Sequence, residues 1–227
     1  MPDPRRSTSS GPTVIPIVQG DIQLNQDQYK FPSSVTLVRD RDCDIIVDTG
    51  LSIFKNTIIG GLAAHGMKTY DVKNVVLTHG DVDSVGNLNL FYASQIYSGN
   101  KRIFQDIFYD QQSAPQFRSG SELPSRQLCS NTDIYLTPGY SMTDLTLVVR
   151  NVEDFGRIAV VGNLIMNEQG VTDSTVWRKF SSNEDLSQVW EATRRAVICL
   201  ADYIIPGHGK TFRVTQEMKR IANCNAN

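Results

Sequence analysis

A chain of 227 residues can bury a large core in one domain, so length alone demands no second one. Its 40% hydrophobic and 20% charged residues are those of an ordinary globular protein, not a disordered or fibrous one. A formal net charge of −2 is not the electrostatic footprint of a general nucleic-acid binder, and no run of about eighteen apolar residues is present to span a membrane.

The basic pairs Lys101-Arg102, Arg178-Lys179, Arg194-Arg195 and Lys219-Arg220 are scattered, as on solvated faces. Nothing in the composition argues for or against a homodimer. The four cysteines, Cys43, Cys129, Cys199 and Cys224, lie far apart and form no C-x-x-C pair, so a zinc ribbon or redox motif is unsupported. Cys43 and Cys199 sit in apolar-rich segments and read as small core residues. The first eleven residues are Pro/Ser/Arg-rich without an apolar stretch, unlike a secretory signal. A reduced, cytoplasmic setting is the expectation, with the nucleus also compatible.

In chain order, residues 1–12 read as a disordered tail and 13–227 as a single domain. Val14–Val18 predicts a strand, with Pro16 marking an edge position. Strands are expected over Ser34–Arg39 and Cys43–Val47, the latter ending at Asp48-Thr49-Gly50. That tripeptide reads first as an Asx-type turn with glycine at positive φ. An aspartic-protease reading needs a second such motif or a dimer, and nothing else in the chain supports it. Asn56–His65 predicts a helix with Ile58, Ile59, Leu62 and Ala63 on one face, capped by Gly66. His65 closes its last turn and takes no catalytic role.

Val75–Thr78 is a short buried-strand pattern, followed at once by His79, Asp81 and Asp83. Side chains at spacings of two, in backbone that leaves a strand, can converge on one point. Imidazole nitrogen and carboxylate oxygen then make a cation site. Asn87–Phe91 starts another helix, Gln95–Tyr97 is a strand, and Arg102–Phe108 reads as one more strand. Residues 111–130 and 166–182 are polar segments without periodicity, expected to border a cleft and set specificity. Strands are expected to end at Thr137-Pro138-Gly139-Tyr140, at Gly162-Asn163 and at Pro206-Gly207-His208-Gly209. Between the last two, Ser182 and Asp185 cap a helix carrying Leu186, Val189, Trp190, Thr193, Val197 and Leu200 at core spacing. A final helix covers Thr215–Asn223.

These strand-end motifs, in this order, resemble the metallo-β-lactamase superfamily, whose metal loop reads T-H-x-H-x-D-H. The stretches Val75–Phe91 and Pro206–Val214 resemble the metallo-β-lactamase domain-containing protein 1 group. The implied fold is an α/β, αββα four-layer sandwich, with two mixed sheets face to face and helices outside. The implied activity is metal-dependent hydrolysis, an endoribonuclease acting on histone pre-mRNA being associated with the group. In the family Asp48 braces the metal loop without touching the metal. Of the family's seven ligand positions, His79, Asp83 and His208 are kept, while Asp81, Ser84, Tyr140 and Asn163 are replacements.

A serine hydroxyl and a phenol are poor zinc ligands at neutral pH, and neutral Asn163 cannot replace a bridging carboxylate. The expectation is at most one zinc ion, or none, with weak or absent activity and these residues hydrogen-bonded at a vestigial cleft. The alternative is an active single-metal hydrolase using His79, Asp81, Asp83 and His208, with Asp81 and Asp83 as the candidate catalytic carboxylates. The substrate is then a small molecule or RNA, cut at a phosphodiester, ester or thioester.

Overall fold

The computed structural model describes residues 11–25, 28–41, 43–110, 123–180 and 184–224. Most of the tail expected over 1–12, the Ser182 cap and residues 111–122 lie outside the described residues.

In chain order come β1 (Thr13–Val18), a small ribbon of β2 (Gln23–Leu24) and β3 (Tyr29–Lys30), β4 (Val35–Asp40) and β5 (Cys43–Val47). Helix α1 (Lys55–Ala64), β6 (Asn74–Leu77), α2 (Val82–Val85) and β7 (Gln95–Ser98) follow, then β8 (Lys101–Phe104) and β9 (Ile107–Asp110). The second half contains β10 (Ser125–Cys129), β11 (Thr132–Leu136), β12 (Leu145–Val152), β13 (Gly156–Gly162) and α3 (Ser174–Phe180). Helix α4 (Ser187–Leu200), β14 (Tyr203–Pro206), β15 (Phe212–Arg213) and α5 (Gln216–Ile221) complete it.

One seven-stranded sheet has the order β1-β4-β5-β6-β7-β8-β9, and one six-stranded sheet runs β10-β11-β12-β13-β14-β15. Both are mixed: β5–β6, β6–β7 and β13–β14 pair parallel, the other neighbours antiparallel. Strand β1 is an edge, where Pro16 costs least because its missing N–H need not serve a second neighbour.

Period-two alternation builds the layers. Ile45 and Val47 of β5 face the other sheet, where Leu147, Val149 and Val160 meet them. Ile46 between them points the opposite way, into a core shared with Ile58 and Leu62 of α1. On the other sheet Val148 and Ala159 turn outward to Trp177 of α3 and to Trp190, Val197 and Ile198 of α4. A core between helix and sheet, one between the sheets and one between sheet and helices make the αββα order of layers.

Three expectations need correction. Arg102–Phe108 is a hairpin, not one strand: Gln105 takes φ 55° and turns β8 into β9. The polar segments are not all loop, because β10 forms within 111–130 and α3 within 166–182. Strand β10 is short and polar, and it gains its order by pairing with β11. The cysteines are not free thiols in a core. Cys43 on β5 bonds Cys129 on β10, with Cα atoms 6.2 Å apart, tying the two sheets. Cys199 on α4 bonds Cys224 beyond α5, at 5.3 Å. Sequence distance hides both pairs because the fold closes separations of 86 and 25 residues.

Candidate metal centre

Parallel pairing decides where the functional residues fall. Strands β5 and β6 run together and end at Asp48 and at Thr78-His79. Strands β13 and β14 run together and end at Asn163 and His208. Strand β11 is antiparallel to β12, which is antiparallel to β13, so β11 also points its C-terminal end, leading to Tyr140, at this edge. The two sheets meet there directly, where the N–H of Leu145 donates to the carbonyl of Thr78 at 2.8 Å.

The loop after β6 is held from several sides. Asp48 sits at φ 57° and its carboxylate accepts from the Thr78 N–H at 2.8 Å and the Thr78 hydroxyl at 2.6 Å. The Thr49 hydroxyl donates to the carbonyl of Ser84, and Asn87 donates to the carbonyls of Thr49 and Leu51. The Ser33 hydroxyl donates to the carbonyl of Asp83. Gly162 makes the approach of β13 possible: a Cβ there would lie 2.1 Å from the Thr78 hydroxyl oxygen, and its φ of 53° also disfavours any side chain.

These supports orient the imidazoles. Thr78 Oγ1 lies 2.9 Å from His79 Nδ1. While the Thr78 hydroxyl donates to a charged Asp48, it can only accept from Nδ1–H. The lone pair of His79 then sits on Nε2. His208 Nδ1 faces the carbonyl of Pro32 at 2.9 Å and must donate to it. Its lone pair is likewise on Nε2.

Both Nε2 atoms face Asp83. His79 Nε2 is 3.9 Å from Oδ1 and His208 Nε2 is 3.6 Å from Oδ2. Asp83 Oδ2 is buried and has no hydrogen-bond partner. Ligand atoms of His79, Asp81 and Asp83 all lie within 4.8 Å of one another. Asp81 is the exposed member, and the Tyr140 hydroxyl donates to it at 2.6 Å. The Ser84 hydroxyl is 3.3 Å from His79 Nε2. Asn163 Oδ1 lies 2.8 Å from His208 Nε2 while Asn163 Nδ2 is buried without a partner, so the amide turned over would donate to that lone pair.

Burial sets the protonation states. It lowers His79 to about 4, against the pull of Asp81, and His208 to about 3, against its bond to Pro32. Both rings are neutral at pH 7, the state in which imidazole binds a metal. Burial raises Asp83 to about 6 and Asp48 to about 8, the latter opposed by its bonds from Thr78. Tyr140 is pushed well above the usual phenol range by burial and then by Asp81, so it stays a donor.

Among the described residues the group whose ligand atoms lie close enough to hold one divalent ion is His79, Asp81 and Asp83, with His208 adjoining it at Asp83 Oδ2. Zinc–ligand bonds of about 2.0–2.1 Å in a tetrahedron place ligand atoms about 3.3 Å apart. The 3.6 and 3.9 Å spacings around Asp83 are too long for hydrogen bonds and near that value. A buried Asp83 Oδ2 without a hydrogen-bond partner, 3.6 Å from His208 Nε2, is an arrangement a cation satisfies. The pattern of His79, Asp81 and Asp83 was readable in sequence. The carbonyl of Pro32 and the ring of Phe31, which stacks on His208 at 3.5 Å, were not, because Phe31-Pro32-Ser33 carries only a loop signal.

A metallo-beta-lactamase superfamily profile matches residues 29–97. The chain is 34% identical over 199 residues to an uncharacterized Caenorhabditis elegans protein, covering 85% of this chain and 51% of that one. It is 32% identical over 190 residues to metallo-beta-lactamase domain-containing protein 1 of Xenopus laevis, covering 83% and 75%. The human protein of that name is 31% identical over 174 residues, covering 76% of this chain and 60% of its own. The chain thus spans about half the length of the worm relative and about three-quarters of the frog one. Among solved structures, an N-acyl homoserine lactone lactonase superimposes with a TM-score of 0.61 at 15% identity, covering 89% of this chain and 93% of that one. A Thermotoga maritima metallo-beta-lactamase-type protein gives 0.61 at 16% identity, covering 89% and 99%. The chain therefore belongs to the metallo-beta-lactamase superfamily, with the metallo-beta-lactamase domain-containing protein 1 group.

Proposed function

We propose that the chain is a metal-dependent hydrolase working with a single divalent ion, zinc in the first instance, held by His79, Asp83 and His208 with Asp81 beside them. The observation that carries this reading is the unpartnered Asp83 Oδ2, 3.6 Å from the His208 lone pair. In a vestigial cleft these groups would close on one another. Here each is held back by its own support, Thr78 behind His79 and Pro32 behind His208.

A bound divalent ion lowers the pKa of a water towards neutrality. The chain's own residues then have separable tasks. His79, Asp83 and His208 bind, and Asp81 at the mouth takes a proton from the attacking water. Tyr140 keeps Asp81 turned inward through its 2.6 Å bond. Ser84, Tyr140 and Asn163 supply no charge for a second ion, so activity is weaker than that of a dinuclear relative. The bond cleaved is an ester, thioester or phosphodiester. Among these, RNA cleavage is what the family resemblance implies.

A second reading, a catalytically silent protein that binds a ligand in the cleft, draws on the Asn163 amide, which can cap the His208 lone pair at 2.8 Å. Zinc per chain in protein purified without chelator separates the two. About one zinc, lost with activity in His208→Ala, is the expected result. No zinc and no turnover overturn the hydrolase.

We also infer a compartment in which disulfides persist, in place of the cytoplasmic setting expected from sequence. All four cysteines are paired, and cytosolic thiols are kept reduced. No helix among the described residues is long and apolar enough to cross a membrane.

A further inference from the structure

Helices α3 and α4 border a cavity of about 620 Å³, the size that holds a small organic molecule, and no candidate metal ligand lines it. The chain's two tryptophans, Trp177 and Trp190, both line it and stack with centroids 4.8 Å apart. Both are buried, but their polar atoms differ. Trp190 Nε1 donates to the carbonyl of Leu164 at 2.8 Å, whereas Trp177 Nε1 is buried without a hydrogen-bond partner. A buried indole N–H ordinarily has an acceptor, and a ligand oxygen in the cavity meets that need.

The walls are cationic. Arg178, Arg194 and Arg195 line the cavity with a single carboxylate, that of Glu191. Glu191 accepts from Arg194 Nη2 at 2.8 Å and from Arg195 Nε at 2.7 Å. The buried Arg194 also donates to the carbonyl of Val171, so it serves as a brace. Arg195 is only half-buried, and its two terminal nitrogens stay outside its bond to Glu191. Arg178 is exposed and forms no ion pair among the described residues. Three cations against one anion leave two positive charges.

That balance matches a dianion, and guanidinium forks bind phosphate oxygens two at a time. The cavity is larger than a phosphate group alone. Ser174, Ser187 and Gln188 add hydroxyl and amide groups to its wall, partners for hydroxyls rather than for an apolar chain. We propose that the cavity binds a small sugar phosphate. The phosphate oxygens accept from Arg178, Arg195 and the Trp177 indole, and the sugar hydroxyls meet Ser174, Ser187 and Gln188. The site uses no metal and stands apart from the hydrolase reading.

The two indole N–H groups give separate NMR signals in isotope-labelled protein, and Trp177→Phe or Trp190→Phe assigns them. The probe is ribose-5-phosphate near pH 7.5, where a phosphomonoester carries close to two charges, its second pKa being about 6. Titration is expected to move the Trp177 signal downfield and saturably, with that of Trp190 moving less. Inorganic phosphate is expected to bind at least about tenfold more weakly, having no hydroxyl partners to offer. Arg178→Gln/Arg195→Gln is expected to weaken binding of the sugar phosphate by about tenfold or more, and the exposed Arg178→Gln alone by part of that. Lys55→Gln/Lys73→Gln removes the same charge from exposed positions elsewhere and leaves affinity unchanged. Phenanthroline, which strips metal, also leaves it unchanged. A Trp177 signal that does not move, or arginine variants that fold and bind like the parent, overturns the proposal. Equal affinity for inorganic phosphate overturns it too, and marks an adventitious ion only. Binding abolished by phenanthroline places the anion on the metal centre, which overturns this site and leaves the hydrolase reading standing.

Discussion

The Asp48 carboxylate accepts both the backbone N–H and the hydroxyl of Thr78, at 2.8 and 2.6 Å, and through that hydroxyl sets which nitrogen of His79 carries the proton. A charged Asp48 directs the lone pair of His79 to Nε2, towards Asp83. A protonated Asp48 donates to Thr78 instead, the hydroxyl turns to Nδ1, and the proton moves to Nε2. Metal binding therefore favours the charged carboxylate. Zinc affinity is expected to rise as the pH climbs through about 8, where burial has placed this group. Asp48→Asn, whose amide donates permanently, should flatten that rise and lower affinity by about 10–100-fold. Competition with a chelating dye across the pH range measures both.

The same residue sets a slope in stability. Asp48 keeps its proton in the fold up to about 8, against an ordinary value of 3.8. Between these values the folded state binds more protons than the unfolded one. The contribution of Asp48 is thus whole below the ordinary value and is lost as the pH rises through about 8. Asp48→Asn should lose less stability than the parent between about pH 5 and about pH 8.5 in urea unfolding. An unchanged slope would place the titration elsewhere.

Gly162 has no room for a methyl group. Its Cβ would lie 2.5 Å from the Cβ of Thr78 and 2.1 Å from the hydroxyl oxygen, at a φ of 53°. Gly162→Ala is expected to cost about 2 kcal/mol or more, combining backbone strain with the displaced threonine. It should also loosen zinc, since Thr78 orients His79. A stable variant with parental zinc affinity would mean that the β13 end relaxes freely.

The disulfides should be chemically present and stabilising. Chain entropy gives an upper value of about 4–5 kcal/mol for Cys43–Cys129 and about 3–4 kcal/mol for Cys199–Cys224, whose loops span 86 and 25 residues. Reductant should lower the unfolding midpoint, and Cys43→Ser/Cys129→Ser should cost more than Cys199→Ser/Cys224→Ser. Intact mass before and after reduction and alkylation counts the bonds.

How much of this could be read from sequence depended on whether the signal was local. The strand ends at Asp48, Thr78 and His208 were legible because each apolar run stops at a turn residue. His79, Asp81 and Asp83 were legible because they sit within five residues of one another. The hairpin at Gln105 was not, since a residue other than glycine takes the left-handed turn. The stack of Phe31 on His208 and the Cys43–Cys129 bond bring distant residues together, and no local pattern encodes such pairs. Strand β10 owes its order to β11 rather than to its own composition.

The four replaced positions give the most demanding test of the centre. Ser84 Oγ is 3.3 Å from His79 Nε2, Tyr140 bonds Asp81 at 2.6 Å, and Asn163 Oδ1 is 2.8 Å from His208 Nε2. Each replacement thus touches a candidate ligand and stands where a further donor would serve a second ion. Restoring Asp81→His, Ser84→His, Tyr140→His and Asn163→Asp together should raise zinc from at most one towards two per chain. Any single reversal should do less, because a bridging carboxylate and the histidines stabilise the pair of ions jointly. Asn163→Asp alone should be the least stable of the set, since it buries a second carboxylate near Asp83 with no added cation. Elemental analysis of the folded variants decides the matter. A fourfold variant that folds and holds no more zinc than the parent would mean that these side chains do not point at a common centre, and the hydrolase reading would lose its geometric basis.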